Sequence, residues 1–131
     1  MPLPDGLTRL LRSVAERDPA VCALYAFGSR VDGTARPDSD LDIGVLYGSP
    51  QTLEKTLALE EALHRETGAP VDLVDAARVS PFLALAVVRG DRFFARREVE
   101  ADRFDLYVLR RSGDLLPFER ARRALALAPG P

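Results

Sequence analysis

Two aspartates, Asp40 and Asp42, stand at the mouth of an alternating apolar run, "SDLDIGVLY" (39–47). A second apolar run, "AVCALYAFG" (20–28), ends in the small pair Gly28-Ser29 just before them. Residues two apart on a strand leave the same face with Cα atoms roughly 7 Å apart. Carboxylates so placed repel each other, and one holds its proton or the strand end loosens unless something offsets the charge. Two divalent ions about 3.5–4 Å apart, bridged by the carboxylates and a phosphate oxygen, would offset it. Hard oxygen donors with no histidine or cysteine nearby favour Mg²⁺, with Mn²⁺ as the substitute, over zinc. The Gly28-Ser29 pair suits the other partner of such ions. Backbone N–H groups exposed after a glycine, together with the Ser29 hydroxyl, hold phosphate oxygens. Arg30 would neutralise charge on a polyphosphate, and Gly33 would let the connecting loop turn.

These groups must be positioned by the elements around them. Leu7, Leu10, Leu11 and Val14 follow helical spacing, and Pro19 stops that helix. The run 20–28 reads as a strand buried on both faces. In 39–47, Leu41, Ile43, Val45 and Tyr47 share one face; Asp40, Asp42, Gly44 and Leu46 share the other. Residues 51–66 carry Leu53, Leu57 and Leu63 among charges, with Gly68 closing a helix. "APVDLVDA" (69–76) is a short strand. Ser80-Pro81 opens a helix that Gly90 ends, and "DRFFA" (91–95) is a last strand. From about Glu98 to 127 the pattern is helical, with a break expected at Ser112-Gly113-Asp114 and Pro117 in the first turn of a final helix. The order is α-β-β-α-β-α-β-α. A helix between the second and third strands makes that pair parallel, and the short link between the first two makes them antiparallel. The expectation is one α/β (α+β) domain over residues 1–131 with its core at about 7–95. A small mixed sheet would carry helices mainly on one face.

That topology is itself a test. Strand one ends at Gly28, strand two begins near Asp40 and strand three begins near Asp72, all on one edge of the sheet. Parity favours Asp72 over Asp75 as the third acid. If Val71 and Leu73 face the helices with Leu41 and Ile43, Asp72 faces the carboxylate pair and Asp75 does not. The competing reading of Asp40 and Asp42 is a solvated strand start, with Ser39 and Asp42 imitating a helix capping box. The alternating run after them contradicts a helix. Arg30 has a rival role as a surface arginine paired with Asp32 or Asp38, Asp38 reads as loop, and His64 reads as a surface residue of its helix.

The pattern Gly-Ser, ten residues, then Asp-x-Asp, in "GSRVDGTARPDSDLD", resembles that of the DNA polymerase β-type nucleotidyltransferases. In its brevity the chain is similar to their minimal nucleotidyltransferase (MNT) branch, and the resemblance spans most of residues 7–95. It implies the nucleotidyltransferase fold, a nucleoside triphosphate such as ATP as substrate, Mg²⁺, and transfer of a nucleotidyl group with pyrophosphate leaving. On that resemblance Asp40, Asp42 and Asp72 would bind the metals, and Asp72 would favour deprotonation of the acceptor hydroxyl. Gly28 and Ser29 would grip the β- and γ-phosphates, and Arg30 would help stabilise developing charge. For many minimal members the branch also implies a partner of the HEPN class. The pair then forms a toxin–antitoxin system in which the transferase adenylylates a tyrosine of its partner. The rival implications are an antitoxin that docks without turnover and a small-molecule transferase of the aminoglycoside-modifying kind.

Composition sets the outer bounds. The chain has 131 residues, 47% apolar and 29% charged, as in ordinary globular domains. Its net charge of −2 gives no basic footprint, which argues against direct nucleic-acid binding. Nothing approaches a membrane span, and "MPLPDGLTRL" lacks the apolar core of a signal peptide, so the expected location is the cytoplasm. The single cysteine, Cys22, lies in an apolar run and reads as a core thiol. Toward the C-terminus, Phe104, Tyr107, Val108, Leu115, Leu116, Phe118 and Leu125 either cover the sheet or stay exposed and dock a partner, as a homo- or hetero-oligomer. Arg120, Arg122 and Arg123 would rim such a contact or form a weak anion site.

Overall fold

The structure is a computed structural model, and it describes residues 3–28 and 40–115. The elements run α1 (Asp5–Glu16), β1 (Val21–Phe27), β2 (Leu41–Tyr47), α2 (Leu53–Thr67), β3 (Val71–Asp75), α3 (Pro81–Val88), β4 (Asp91–Ala95) and α4 (Glu98–Leu115). The strands form one mixed sheet in the order β3-β2-β1-β4. β1 pairs antiparallel with β2 and with β4, whereas β2 and β3 are parallel. Both pairings expected from the connection lengths are therefore present.

Local chemistry explains most boundaries. Thr52 caps α2 by accepting from the Lys55 N–H at 3.1 Å, and Gly68 ends it at φ +70°. Ser80 caps α3 in the same way through Leu83 N, with Pro81 at the first turn. α1 ends differently. The Arg96 guanidinium, reaching across from the end of β4, donates to the carbonyls of Ala15 (2.7 Å), Glu16 (3.2 Å) and Asp18 (3.3 Å). It thereby satisfies acceptors that a helix C-terminus leaves open.

The helices divide two to each face of the sheet, which corrects the expectation that most lie on one. α1 and α2 cover one face, where Leu11, Val14, Leu24, Ile43, Val45 and Leu63 form the core. α3 and α4 cover the other through Val87, Ala101, Leu83 and Phe104 against Cys22, Tyr25 and Leu46. β1 supplies the reason. All seven of its residues are buried, and a central strand apolar on both faces needs cover on both. Gly44 lets α3 come down: a Cβ there would stand 2.6 Å from Val87 Cγ1.

A second difference concerns the C-terminal helix. α4 runs unbroken through Ser112-Gly113-Asp114. Ser112 is buried and donates from its hydroxyl to the Val108 carbonyl at 2.9 Å, so its side chain does not compete with the helix. The cost of a helical glycine, about 1 kcal/mol, is offset by packing of Ala101, Phe104 and Val108. The expected final helix, with Pro117, Phe118 and Arg120, lies outside the described residues. On α2 the buried stripe is Thr56, Leu59 and Leu63, while Leu53 and Leu57 remain exposed. Among the described residues no helix is long and apolar enough to cross a membrane.

Candidate active site

The parallel register of β2 and β3 sets Asp42 beside Asp72, and the antiparallel register of β1 and β2 sets Phe27 beside Asp42. Phe27, Asp42 and Asp72 thus stand abreast across three strands at one edge of the sheet. A backbone hydrogen bond from Leu41 N to the Pro70 carbonyl at 2.9 Å fixes where β2 and β3 begin together. Leu41, Ile43 and Leu73 pack into the core under α1 and α2. Strand alternation therefore turns Asp42 and Asp72 to the opposite face.

Gly28 follows β1 at φ +81°, a conformation that favours glycine. A Cβ on it would run into the Asp42 carboxylate. The turn after β1 and the acid on β2 are therefore in direct contact, and only a residue without a side chain permits it. Asp42 is half-buried, and its carboxyl is held above the usual carboxylate range. Burial is the first cause; the charges of Asp72 and Asp40 add to it. Asp40 and Asp72 are exposed at the strand starts. The repulsion expected from the sequence is thus present, centred on Asp42, and it comes from both neighbours.

Asp75 has a different setting. It pairs in register with Val45, on the other side of the pleat. Its carboxylate accepts from the Ala77 N–H at 3.2 Å in the turn that follows β3. Ser29 and Arg30, the remaining residues singled out from the sequence, lie outside the described residues, as do Asp32 and Asp38. His64 is exposed, and its Nδ1 is 2.8 Å from the Ala69 carbonyl at the end of α2.

The donor set suits a hard divalent cation, with carboxylate oxygens only. Among the described residues no group of three histidine, cysteine or acidic side chains is drawn together closely enough to hold an ion unaided. Mg²⁺ is commonly bound with only one or two protein carboxylates, the rest of its shell being water and substrate phosphate. The acids present match that demand once a triphosphate supplies the remaining oxygens. An apolar cavity of about 390 Å³ lined by Ala76, Pro81, Phe104 and Tyr107 opens where α3 begins, at the opposite end of the sheet from the carboxylates.

One polar cluster was not foreseen. The Tyr25 hydroxyl donates to Asp105 Oδ1 at 2.6 Å, and Arg92 donates to Asp105 Oδ2 at 2.9 Å and Asp102 Oδ1 at 2.8 Å. Burial, then the hydrogen bond to Asp105, pushes the Tyr25 phenol far up. The cluster ties β1, β4 and α4 together on the face that carries the acids. The sequence holds one signal for it: a phenol inside a strand that reads as wholly buried must find a partner.

Known proteins resemble this arrangement. A protein adenylyltransferase MntA of Thermococcus cleftensis is 41% identical over 63 residues, which is 48% of this chain and 64% of that relative. The match therefore spans less than two thirds of the relative's length. A crystal structure of a toxin–antitoxin with AMP-PNP superposes with a TM-score of 0.72 at 23% identity, covering 93% of this chain and 96% of that one. A tri-AMPylated HEPN toxin of Shewanella oneidensis in complex with an MNT antitoxin gives a chain with a TM-score of 0.67 at 21% identity, covering 94% of each. At those identities the two structures establish the fold. The family model for the polymerase beta nucleotidyltransferases matches residues 10–99. That is well over half of the chain and takes in every strand, so the protein belongs to the polymerase beta nucleotidyltransferase family.

Proposed function

We propose that the chain moves a nucleotidyl group, AMP from ATP, onto a hydroxyl of a HEPN-type partner protein, a tyrosine by preference, and so acts as an antitoxin. The observation that carries this reading is the register that sets Asp42 beside Asp72 with Gly28 seated on the Asp42 carboxylate. The adenylyltransferase relative and the two toxin–antitoxin structures support the choice of nucleotide and partner.

Asp40, Asp42 and Asp72 are the residues that would hold Mg²⁺, two ions with Mn²⁺ as an alternative. When bound, the cations would offset part of the negative charge of the carboxylates and the triphosphate and would polarise the α-phosphate. Gly28 lets the Asp42 carboxylate come against the end of β1, and Gly28 is assigned to the β- and γ-phosphates of the triphosphate. Ser29 is assigned to the same phosphates and Arg30 to the charge that develops on them. The acceptor oxygen bonds to the α-phosphorus while the bond from that phosphorus to the β-phosphate oxygen breaks. Pyrophosphate leaves, and the hydroxyl proton passes to Asp72.

Labelled ATP with Mg²⁺, in the presence and absence of the product of the neighbouring gene, tests the reading. Label on the partner that disappears with Asp42→Asn is the expected result. Tight binding with no label would replace it with an antitoxin that docks without turnover. Label appearing on an added small-molecule alcohol and never on protein would replace it with a small-molecule transferase.

A further inference from the structure

The two sides of α4 differ in what they meet. Ala101, Val108 and Ser112, spaced i, i+7 and i+11, are buried toward the sheet and α3. Val99, Arg103, Leu106 and Arg110, spaced i, i+4, i+7 and i+11, stand on the opposite side, with Leu109 at the margin. Val99 is 63% exposed, Leu106 50% and Leu109 44%. A surface helix ordinarily presents polar side chains there; this one presents a second apolar stripe.

Charge is sorted along the same helix. Glu100 pairs with Arg97 at 2.6 Å, while Asp102 and Asp105 both pair with Arg92 of β4. Among the described residues neither Arg103 nor Arg110 makes an ion pair. The stripe is therefore flanked on one edge by the uncompensated Arg103 and Arg110 and on the other by Asp102, whose charge Arg92 holds, on a chain whose net charge is −2. It also lies almost wholly beyond the matched family domain, which ends at residue 99.

We propose that the Val99–Leu106–Leu109 stripe of α4 is the docking surface for a helix of the partner protein, one with an apolar i, i+4, i+7 stripe flanked by Asp or Glu. The inference rests on the partner reading given under Proposed function and adds where that partner sits. Aliphatic side chains interlock along such a seam, and the flanking arginines select an acidic edge. A second copy of this chain is the poorer occupant. Two of these stripes laid together bring Arg103 and Arg110 of one helix against the same cations of the other, and like charges across a seam repel.

Titrating the full chain with the product of the neighbouring gene, at about 0.15 M and about 1 M salt, tests the surface. Leu106→Asp weakens the complex about 100-fold, the loss typical of an anchor residue. The double variant Arg103→Glu with Arg110→Glu weakens it about tenfold and reverses its salt dependence. Both variants melt like the unaltered chain and bind ATP as it does, because the altered side chains are exposed and lie off the carboxylate edge. Variants that bind within about twofold of the unaltered chain would overturn the surface and leave the partner standing. No binding by the unaltered chain would overturn the partner reading and this inference with it. Self-association of the chain that Leu106→Asp abolishes would assign the stripe to a second copy and overturn the proposal.

Discussion

The two faces of the sheet are made from the same four strands, yet they do opposite things. Under α1 and α2 the core is apolar from Leu73 of β3 across to Phe94 of β4. The buried hydroxyls Tyr47 and Thr56 there satisfy each other at 2.9 Å. Under α3 and α4 the same strands present Tyr25, Asp42, Gly44 and Asp72. That face carries a buried phenol hydrogen-bonded to Asp105 and a carboxyl driven upward by burial and then by its acidic neighbours. One face is optimised for burial; the other gives up burial to gather charge. The difference teaches that like charges were placed where the helical cover stops, at the strand ends, so that water or a ligand can reach them. It also teaches that the polar face is held by specific contacts, α3 on Gly44 and α4 on Tyr25, where the apolar face is held by area.

The comparison can be broken first at Asp42. Asp42→Asn lowers nucleotidyl transfer on the order of 10³-fold, measured as label on the acceptor. In the absence of divalent cation the same variant melts at a higher temperature than the unaltered chain. The sign follows from linkage. The folded carboxyl is raised above its unfolded value, so its stabilising effect is present at low pH and is lost as pH rises through the folded value. At neutral pH the ionised group is therefore a cost that asparagine removes. A melting temperature that falls would mean the acids are not in conflict. Gly28→Ala is expected to follow, with about a 10²-fold loss of transfer, because its Cβ displaces Asp42.

Stability separates the two faces next. Gly44→Val pushes α3 off the sheet and costs about 1–3 kcal/mol in urea unfolding, and Val87→Ala recovers part of it in a double-mutant cycle. Tyr25→Phe costs about 1.5–3 kcal/mol, as for a hydrogen bond to a charged group, against about 1 kcal/mol for Tyr47→Phe on the other face. Equal losses would erase the distinction between them. The pH dependence sharpens it. Burial holds the Tyr25 phenol protonated in the fold, while in the unfolded chain it ionises near pH 10. Stability is thus complete below about pH 10 and falls above it. Tyr25→Phe flattens that alkaline limb; Tyr47, also raised by burial, accounts for the part that remains.

Much of this was legible in the residues. Alternation in 39–47 assigned Asp42 and Ile43 to opposite faces, and connection lengths gave the strand directions. Caps at Thr52 and Ser80 and the glycine at 68 marked helix ends through purely local chemistry. What failed were judgements that depend on neighbours distant in sequence. The break expected at Ser112-Gly113 yields to packing on α3 and to a hydroxyl bonded within its own helix. The one-sided helices ignored a strand that was itself read as buried on both faces. The Tyr25–Asp105–Arg92 cluster joins residues from three elements and leaves only a lone phenol as its trace.

The chain by itself determined which groups could do chemistry and on which side of each strand they lie, because a pleat of period two is a local property. Only the tertiary structure decided that Asp72, already favoured over Asp75 by parity, stands in register beside Asp42 and that Gly28 rests on that carboxylate. Register between strands and contact across a turn are set by the packing of α2 and α3 on the sheet, and no local spacing encodes that.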